Sequence, residues 1–185
     1  MGGLILPKTY SLSLDAPLIY LAGPIQGAPR WQEQAHDLIK SLDNRLYVAS
    51  PSNLARGELL KASIIGKHSF ADQLDWENFH MRRAARAGCL LFWLAEQVEQ
   101  TPGRSYARDT RRELGKWVIK QQYDREFSLV FGGETGFDGL DTIIKDTRQE
   151  LPFTKFYNAL GETCMAAIAE CQRAIKRGAW PKLKS

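Results

Sequence analysis

Short apolar runs alternate along this chain with longer segments in which apolar residues recur every three or four positions. Short runs rich in Ile, Val, Leu and aromatic residues are typical of buried strands, and the longer period is typical of amphipathic helices. The alternation predicts an α/β protein built on a parallel sheet. The predicted strands are about Leu18 to Ala22, Leu46 to Ala49, Cys89 to Leu94 and Phe127 to Phe131.

Five segments between and after these strands have the spacing of helices. None of the predicted strands alternates strictly between polar and apolar residues, which is expected when helices cover both faces of a parallel sheet. We therefore expect a single α/β domain over residues 1–185, with residues 1–16 and 178–185 at its periphery. The predicted helices are Trp31 to Leu42, Asp72 to Arg86, Tyr106 to Lys120, Asp138 to Leu151 and Glu162 to Lys176.

The composition is that of an ordinary folded domain. With 185 residues, 44% of them hydrophobic, the chain is long enough for one continuous core. The 25 Lys and Arg residues against 21 Asp and Glu residues give a net charge of +4, which permits an anionic ligand but does not indicate a polyanionic partner. The longest apolar run, Cys89 to Ala95, is far shorter than the roughly 20 residues that cross a bilayer, so we expect no membrane span.

The cysteines and histidines favour neither a disulfide framework nor a metal site. The three cysteines, at positions 89, 164 and 171, are odd in number and form no C-x-x-C pair. This usage fits a reducing cytosol, so we predict a cytoplasmic protein. The histidines at positions 36, 68 and 80 lack metal-ligand spacing, so we expect no metal.

A turn with small residues closes the first predicted strand. Its sequence is Gly23-Pro24-Ile25-Gln26-Gly27. Ligands of open α/β sheets bind at the carboxyl ends of the strands, where a glycine allows close approach to the backbone. The turn is therefore a candidate wall of a binding site, although an ordinary strand-to-helix turn would have the same sequence. It matches neither G-x-G-x-x-G nor a P-loop, so it does not predict a dinucleotide or P-loop site.

The charged sequence RDTRRELG follows the third predicted strand at the start of a helix, and two interpretations stay open. Thr110 and Glu113 have the spacing of a capping box, in which both side chains bind backbone amides. Alternatively, Glu113 lies in the first turn, where the helix dipole and nearby arginines favour its ionised form. Such a carboxylate is suited to attack a sugar C1 as a base departs, giving a glycosyl-enzyme ester. The arginines are Arg108, Arg111 and Arg112.

Acidic and aromatic residues also cluster in the sequence DQLDWE, at the start of the helix before the third strand. Asp72 and Asp75 either belong to an ordinary helix N-terminus or are carboxylates that reach the same cleft. In the second case they would protonate a leaving base or bind sugar hydroxyls. Trp31 and Trp76 are either packing residues or surfaces on which a base stacks.

Three separated pieces, YLAGPIQG, DQLDWENFHMRRAARAGCLLFWL and RDTRRELGKW, occur in one order within about residues 18 to 133. Together they resemble the nucleoside 2-deoxyribosyltransferase family, more closely its distant transferase-like branch. The resemblance implies a Rossmann-like or flavodoxin-like fold with a strand-one motif that ends in Gly23-Pro24. It also implies that Glu113, in an E-L-G motif, is the nucleophile.

The chain departs from the pattern of this family at three places. Residues 110–112, Thr-Arg-Arg, stand where other members have small residues, so we expect a wider or differently charged pocket. The acidic residue of the preceding helix has no unique counterpart among Asp75, Glu77 and His80, and we favour Asp75 and Glu77. The phosphate loop of the nucleotide-hydrolysing relatives is absent, which disfavours a nucleoside monophosphate. Arginines that would replace that loop are those at positions 30, 108 and 111.

We therefore expect an enzyme that cleaves the N-glycosidic bond of a (deoxy)nucleoside without a cofactor, and transfers the sugar to another base or to water. Its expected partner is a small-molecule nucleoside or nucleotide. A catalytically altered nucleoside-binding module of the same fold is the alternative. Nucleic acid is disfavoured, because the basic residues are divided between two predicted helices. The resemblance further implies a homo-oligomer, with Asn158 of a neighbouring subunit as the candidate to complete each site. An apolar interface for it is sought in the stripe from Cys164 to Ile175, although that stripe would equally cover the sheet.

Overall fold

The computed structural model describes residues 2–7, 14–52, 73–100 and 102–178. Within these ranges, strands and helices alternate as the sequence pattern predicts, and the four predicted strands and five predicted helices are confirmed with ends displaced by no more than three residues. The strands are β1 (Leu4–Ile5), β2 (Leu18–Ala22), β3 (Tyr47–Ala49), β4 (Gly88–Leu94), β5 (Leu129–Gly133) and β6 (Phe156–Tyr157). The helices are α1 (Trp31–Leu42), α2 (Gln73–Ala87), α3 (Arg108–Tyr123), α4 (Leu140–Glu150) and α5 (Leu160–Lys176).

All six strands pair in parallel, in the order β1-β3-β2-β4-β5-β6. Counted from β2, the order is 2-1-3-4-5, which is the flavodoxin-like arrangement. The chain runs outward from β2 to β3 and then crosses back over β2 to β4, so the direction of winding reverses between β2 and β4. Ligands of such sheets bind at this switch point, outside the carboxyl ends of the strands.

The helices cover both faces of the sheet, because successive side chains of a strand point to opposite sides. On β2, Ile19 and Leu21 pack in a cluster with residues of α1 and α5. Tyr20 and Ala22 belong to the opposite cluster, which α2, α3 and α4 cover. Every residue of β2 and β4 is buried, which explains why these strands are apolar throughout rather than alternating.

The two edge strands were not expected from the sequence. β1 and β6 have two residues each, too few for a periodicity to be read. Leu4 and Ile5 are buried and pair with β3, although residues 1–16 are predicted to be peripheral. None of the helices that the structure describes is long and apolar enough to cross a membrane.

Candidate active site

A cavity of about 630 Å³ opens at the switch point between β2 and β4. Its volume lies within the range of small-molecule sites. We call it the switch-point cavity. Its described lining comprises Tyr20, Ala22 to Gln26, Pro51, Ser52, Gln73, Leu74, Glu77, Met81, Gln97, Gly103 to Arg108, Asp109, Thr110, Arg112 and Glu113.

The turn after β2 forms one wall of this cavity through Gly23, Pro24 and Gln26. Gly23 is required by packing, because a Cβ there would clash with the Trp93 carbonyl and would lie 2.6 Å from the Trp31 ring. The turn is thereby pressed against the end of β4. The prediction that Gly23 and Glu113 share one site is confirmed, since both line the cavity.

Trp31 is a packing residue and not a surface for a base. It is 1% exposed, and its indole Nε1 donates a hydrogen bond of 2.8 Å to the Pro24 carbonyl. Gln32 donates to the same carbonyl at 3.2 Å. The side chains of Trp31 and Gln32 therefore fix the turn on the side away from the cavity. The shape of the cavity depends on Trp31, although Trp31 is not among its described lining residues.

Trp76 is likewise buried, with 1% exposure, between Tyr20 and His80 at ring-centre distances of 6.1 and 4.4 Å. The stacking role predicted for it is wrong, because its position on α2 turns it toward the sheet. Asp75 is exposed and does not line the cavity as described, whereas Glu77 does. Asp72 lies outside the described residues. The structure thus separates Glu77 from Asp75 as the carboxylate that reaches the site.

The capping-box interpretation of the helix after β4 is wrong. α3 begins at Arg108, and its N-cap is Ala107, which has φ 55° and makes no side-chain cap hydrogen bond. Thr110 is therefore the third helical residue, is 6% exposed and lines the cavity. Glu113 lies in the second turn, not the first, where the field of the helix terminus is weaker.

Glu113 is mostly buried, and the expectation that its environment favours the ionised form is also wrong. Burial, followed by repulsion from Glu77, raises its pKa to about 7 from the usual 4.5. Arg112 and Lys116 act in the opposite direction but do not prevail. A carboxyl with this pKa exchanges a proton near neutral pH, as acid–base groups of enzymes do.

Glu77 faces Glu113 across the cavity from α2. Its Oε1 accepts a hydrogen bond of 2.8 Å from the Gln73 side chain, one turn earlier on the same helix. The charge of Glu77 disfavours ionisation of Glu113, which lines the same cavity. The pair is the acid–base feature of this cavity.

Tyr20 is a residue of this site that the sequence pattern did not single out. Its ring lines the cavity, its exposure is 0%, and its hydroxyl has no hydrogen-bond partner among the described residues. Burial, with the carboxyls of Glu77 and Glu113, raises its pKa well above the usual value, so the hydroxyl keeps its proton. The only signal in the sequence is a hydroxyl within an otherwise apolar strand, three residues before Gly23.

The arginines of the predicted site divide into two groups. Arg108, as predicted, lines the cavity, and so do Arg112 and Arg104. Arg111 points away from it: its guanidinium donates to the Asp138 carbonyl at 2.7 Å and lies 4.6 Å from the centre of the Phe137 ring. The prediction that Arg111 binds substrate is therefore wrong, because the residue ties α3 to the start of α4.

The fold and this cavity together define a class: a doubly wound α/β protein with a small-molecule cleft at its switch point, furnished with two glutamates and a buried tyrosine. Among the described residues, no group of His, Cys, Asp and Glu has the arrangement of a metal site. No protein-family model matches the chain, and no curated protein matches it.

Proposed function

We propose that the protein cleaves the N-glycosidic bond of a (deoxy)nucleoside or nucleotide by double displacement, with Glu113 as the nucleophile. The observation that carries the proposal is the pairing of Glu113 with Glu77 in a cavity at the switch point, beside the buried hydroxyl of Tyr20. Two carboxyls that share a cleft provide the nucleophile and the acid that glycosyl transfer requires. The resemblance found in the sequence agrees with this chemistry.

In the first step, a carboxylate oxygen of Glu113 attacks C1′ of the sugar and the C1′–N bond breaks. The bonding electron pair leaves with the base, which takes up a proton from Glu77, the other glutamate that lines the cavity. In the second step, a nitrogen of another base or a water oxygen attacks C1′ and gives its proton to the carboxylate of Glu77. The ester breaks and Glu113 returns as a carboxylate.

With a pKa of about 7, Glu113 is ionised in about half of the molecules at neutral pH. The ionised fraction is the one that reacts, because only the carboxylate can form the ester with C1′. The Tyr20 hydroxyl, which has no partner among the described residues, is suited to donate to the ionised Glu113. This donation would favour the ionised form of Glu113, which is the form that attacks the sugar.

The second candidate function is a nucleoside-binding module that has lost catalysis. The observation that favours it is the same raised pKa, because a Glu113 that stays half protonated at pH 7 is a weaker nucleophile. In such a module the two glutamates would accept hydrogen bonds from the sugar hydroxyls without forming an ester.

We also propose a homo-oligomer in the cytosol. Phe153, 98% exposed after α4, and the exposed Asn158 after β6 are available to a second subunit. The stripe of α5 contributes little, because Cys164, Ile168 and Cys171 are buried against the sheet and only Ile175 is exposed. The three cysteines are free and buried, which is compatible with a reducing compartment.

The test is chromatography of the products after incubation with a panel of 2′-deoxynucleosides and their 5′-monophosphates, with and without a free acceptor base. Release of base alone identifies a hydrolase, and a new nucleoside identifies a transferase. Glu113→Gln, which cannot form the ester, should lower turnover by about 1,000-fold or more. The matched control is Glu126→Gln, at an exposed glutamate outside the cavity lining, which should retain full activity.

A substrate analogue fluorinated at C2′ provides a second readout. The fluorine slows breakdown of the ester, so intact-protein mass should increase by one sugar, on the peptide that contains Glu113. Binding of nucleosides without base release and without an adduct would identify the binding module instead. An adduct on Glu77 would reassign the nucleophile.

A further inference from the structure

Three arginines meet on one wall of the switch-point cavity. Arg104 lies in the loop after β4, and Arg108 and Arg112 lie one turn apart at the start of α3. The sequence alone selects a different set, because it cannot show that Arg111 binds Asp138 or that Arg30, 73% exposed beside Glu33, lies away from the described cavity wall.

The three guanidinium groups have few negative partners among the described residues. Arg108 and Arg112 share the one carboxylate of Asp109, each at 3.9 Å, which is the outer limit of an ion pair. Arg104 donates to the amide oxygen of Gln26, a neutral acceptor. Pairs this long and this exposed add little to stability, so the guanidinium groups of Arg108 and Arg112 are available to an anion in the cavity.

Two further observations concern the same cavity. The first turn of α3 has no side-chain cap, because Ala107 stands at the N-cap position, so its backbone amides are available to an anion beside the arginines. Independently, the buried hydroxyl of Tyr20 has no partner within the described part of the chain. A buried hydroxyl without a protein partner, in a residue that lines the cavity, is suited to bind a polar group of a ligand or a water there.

We propose that Arg104, Arg108 and Arg112 bind a phosphate monoester, so that the substrates of this site are nucleoside 5′-monophosphates rather than nucleosides. This inference rests on the proposed function, since it names the substrate class of the same cavity. A phosphate monoester carries a charge of about −1.5 to −2 at pH 7, and its three oxygens accept paired N–H donors from guanidinium groups. Asp109, which lies within 4 Å of two of the arginines, competes with the phosphate for them.

The arrangement gives the cavity two ends with different tasks. The glutamates and Tyr20 act on the glycosidic bond. The arginines near the first turn of α3 bind the 5′-phosphate, at the other end of the sugar. Anchoring a non-reacting group in this way fixes C1′ against the nucleophile.

The experiment measures binding by calorimetry in the Glu113→Gln background, so that no turnover occurs. A 2′-deoxynucleoside 5′-monophosphate should bind at least about tenfold more tightly than its deoxynucleoside, with an affinity that falls as salt rises. Arg108→Gln and Arg112→Gln should each remove most of this preference, leaving the affinity for the deoxynucleoside in place. Asp109→Asn should increase the preference, because it removes the competing carboxylate.

The matched control is Arg30→Gln, an exposed arginine outside the described cavity lining, which should leave both affinities unchanged. Equal affinities for the two ligands, or a preference that survives both arginine variants, would overturn the inference. Tighter binding of a 5′-phosphorylated oligonucleotide than of the monophosphate would overturn it in favour of nucleic acid.

Failure of the inference and failure of the proposed function are distinguishable. Cleavage of deoxynucleosides, with no preference for their 5′-monophosphates, would contradict the inference but support the proposed N-glycosidic activity. Binding of monophosphates through the arginines, with no base released by the wild-type protein, would do the reverse.

Discussion

The two faces of the sheet are formed by the same strands, but they bury different kinds of side chains. Under α1 and α5, Ile19, Leu21 and Leu91 pack with three neutral thiols in an apolar layer. Under α2 and α3, the same strand β2 buries the Tyr20 hydroxyl near two carboxyls. The first face also buries a polar atom without a partner among the described residues, the Trp93 Nε1, but Trp93 does not line the described cavity. The second retains polar groups at a cost in stability, which is the pattern of functional sites.

The largest expected change in the free energy of unfolding is on the face of the sheet that α1 and α5 cover. Leu91→Ala removes a fully buried side chain from β4, and the lost burial and the cavity left behind should lower the free energy of unfolding by about 3 kcal/mol. Urea unfolding measures this value. Activity per folded molecule should not change, because Leu91 points away from the switch-point cavity. A loss below about 1 kcal/mol would show that this face is loosely packed.

Glu113→Gln should instead raise the free energy of unfolding, and the size of this gain should depend on pH. The folded pKa of Glu113 is about 7 against a usual 4.5, so the folded state holds a proton that the unfolded state loses between these values. Wild-type stability therefore falls as pH rises from 4.5 to 7. The variant avoids this loss, and should gain up to about 3 kcal/mol at pH 8 and almost nothing at pH 4.

Urea unfolding of both proteins across this pH range checks the prediction, with the difference between them taken at each pH. Glu126→Gln, at an exposed position, should show no such gain at pH 8. A constant difference across the range would mean that Glu113 is not the group whose protonation is linked to folding.

Tyr20→Phe should stabilise the protein modestly while it lowers activity. The buried hydroxyl has no partner among the described residues, so its removal should raise the free energy of unfolding by about 1 kcal/mol. If Tyr20 donates to Glu113 during the reaction, turnover should fall by about tenfold or more. The comparison variant is Tyr123→Phe, since Tyr123 is 85% exposed, and it should change neither quantity. A destabilised Tyr20→Phe would show that the hydroxyl has a partner in the folded protein.

The smallest expected effect concerns the start of α3. Ala107 has φ 55°, the left-handed region that costs a residue with a Cβ about 1 kcal/mol. Ala107→Gly should therefore raise the free energy of unfolding by about 0.5 kcal/mol, after the greater flexibility of glycine in the unfolded chain is offset. Ala107→Val should lower the free energy of unfolding by a larger amount. Thermal unfolding should therefore give a higher melting temperature for the glycine variant than for the valine variant. The reverse order would mean that the backbone at Ala107 is not in this conformation.

The sequence predicts the fold well and the site only in part. The elements with clear hydrophobic patterns were correct, because burial of a strand on two faces and of a helix on one leaves a period in the chain. Gly23 and Glu113 were placed in one site because both follow strands at their carboxyl ends. Asp75 and Glu77, two positions apart on α2, were not separated, since only the rotation of that helix decides which of them reaches the cavity.

The environment of each side chain was decided by the tertiary structure. Trp31 and Trp76 had the chemistry of stacking surfaces, but packing against the turn and the sheet buried both. Glu113 lay among arginines in sequence, yet burial and Glu77, from a helix more than 30 positions away, raised its pKa. Charged side chains that are neighbours along the chain are screened by solvent or point in other directions. The desolvation of a titratable group, in contrast, depends on every element that packs over it. The sequence therefore determined the strands, the helices and the edge of the sheet where chemistry gathers, and the folded structure alone determined which groups there hold a proton.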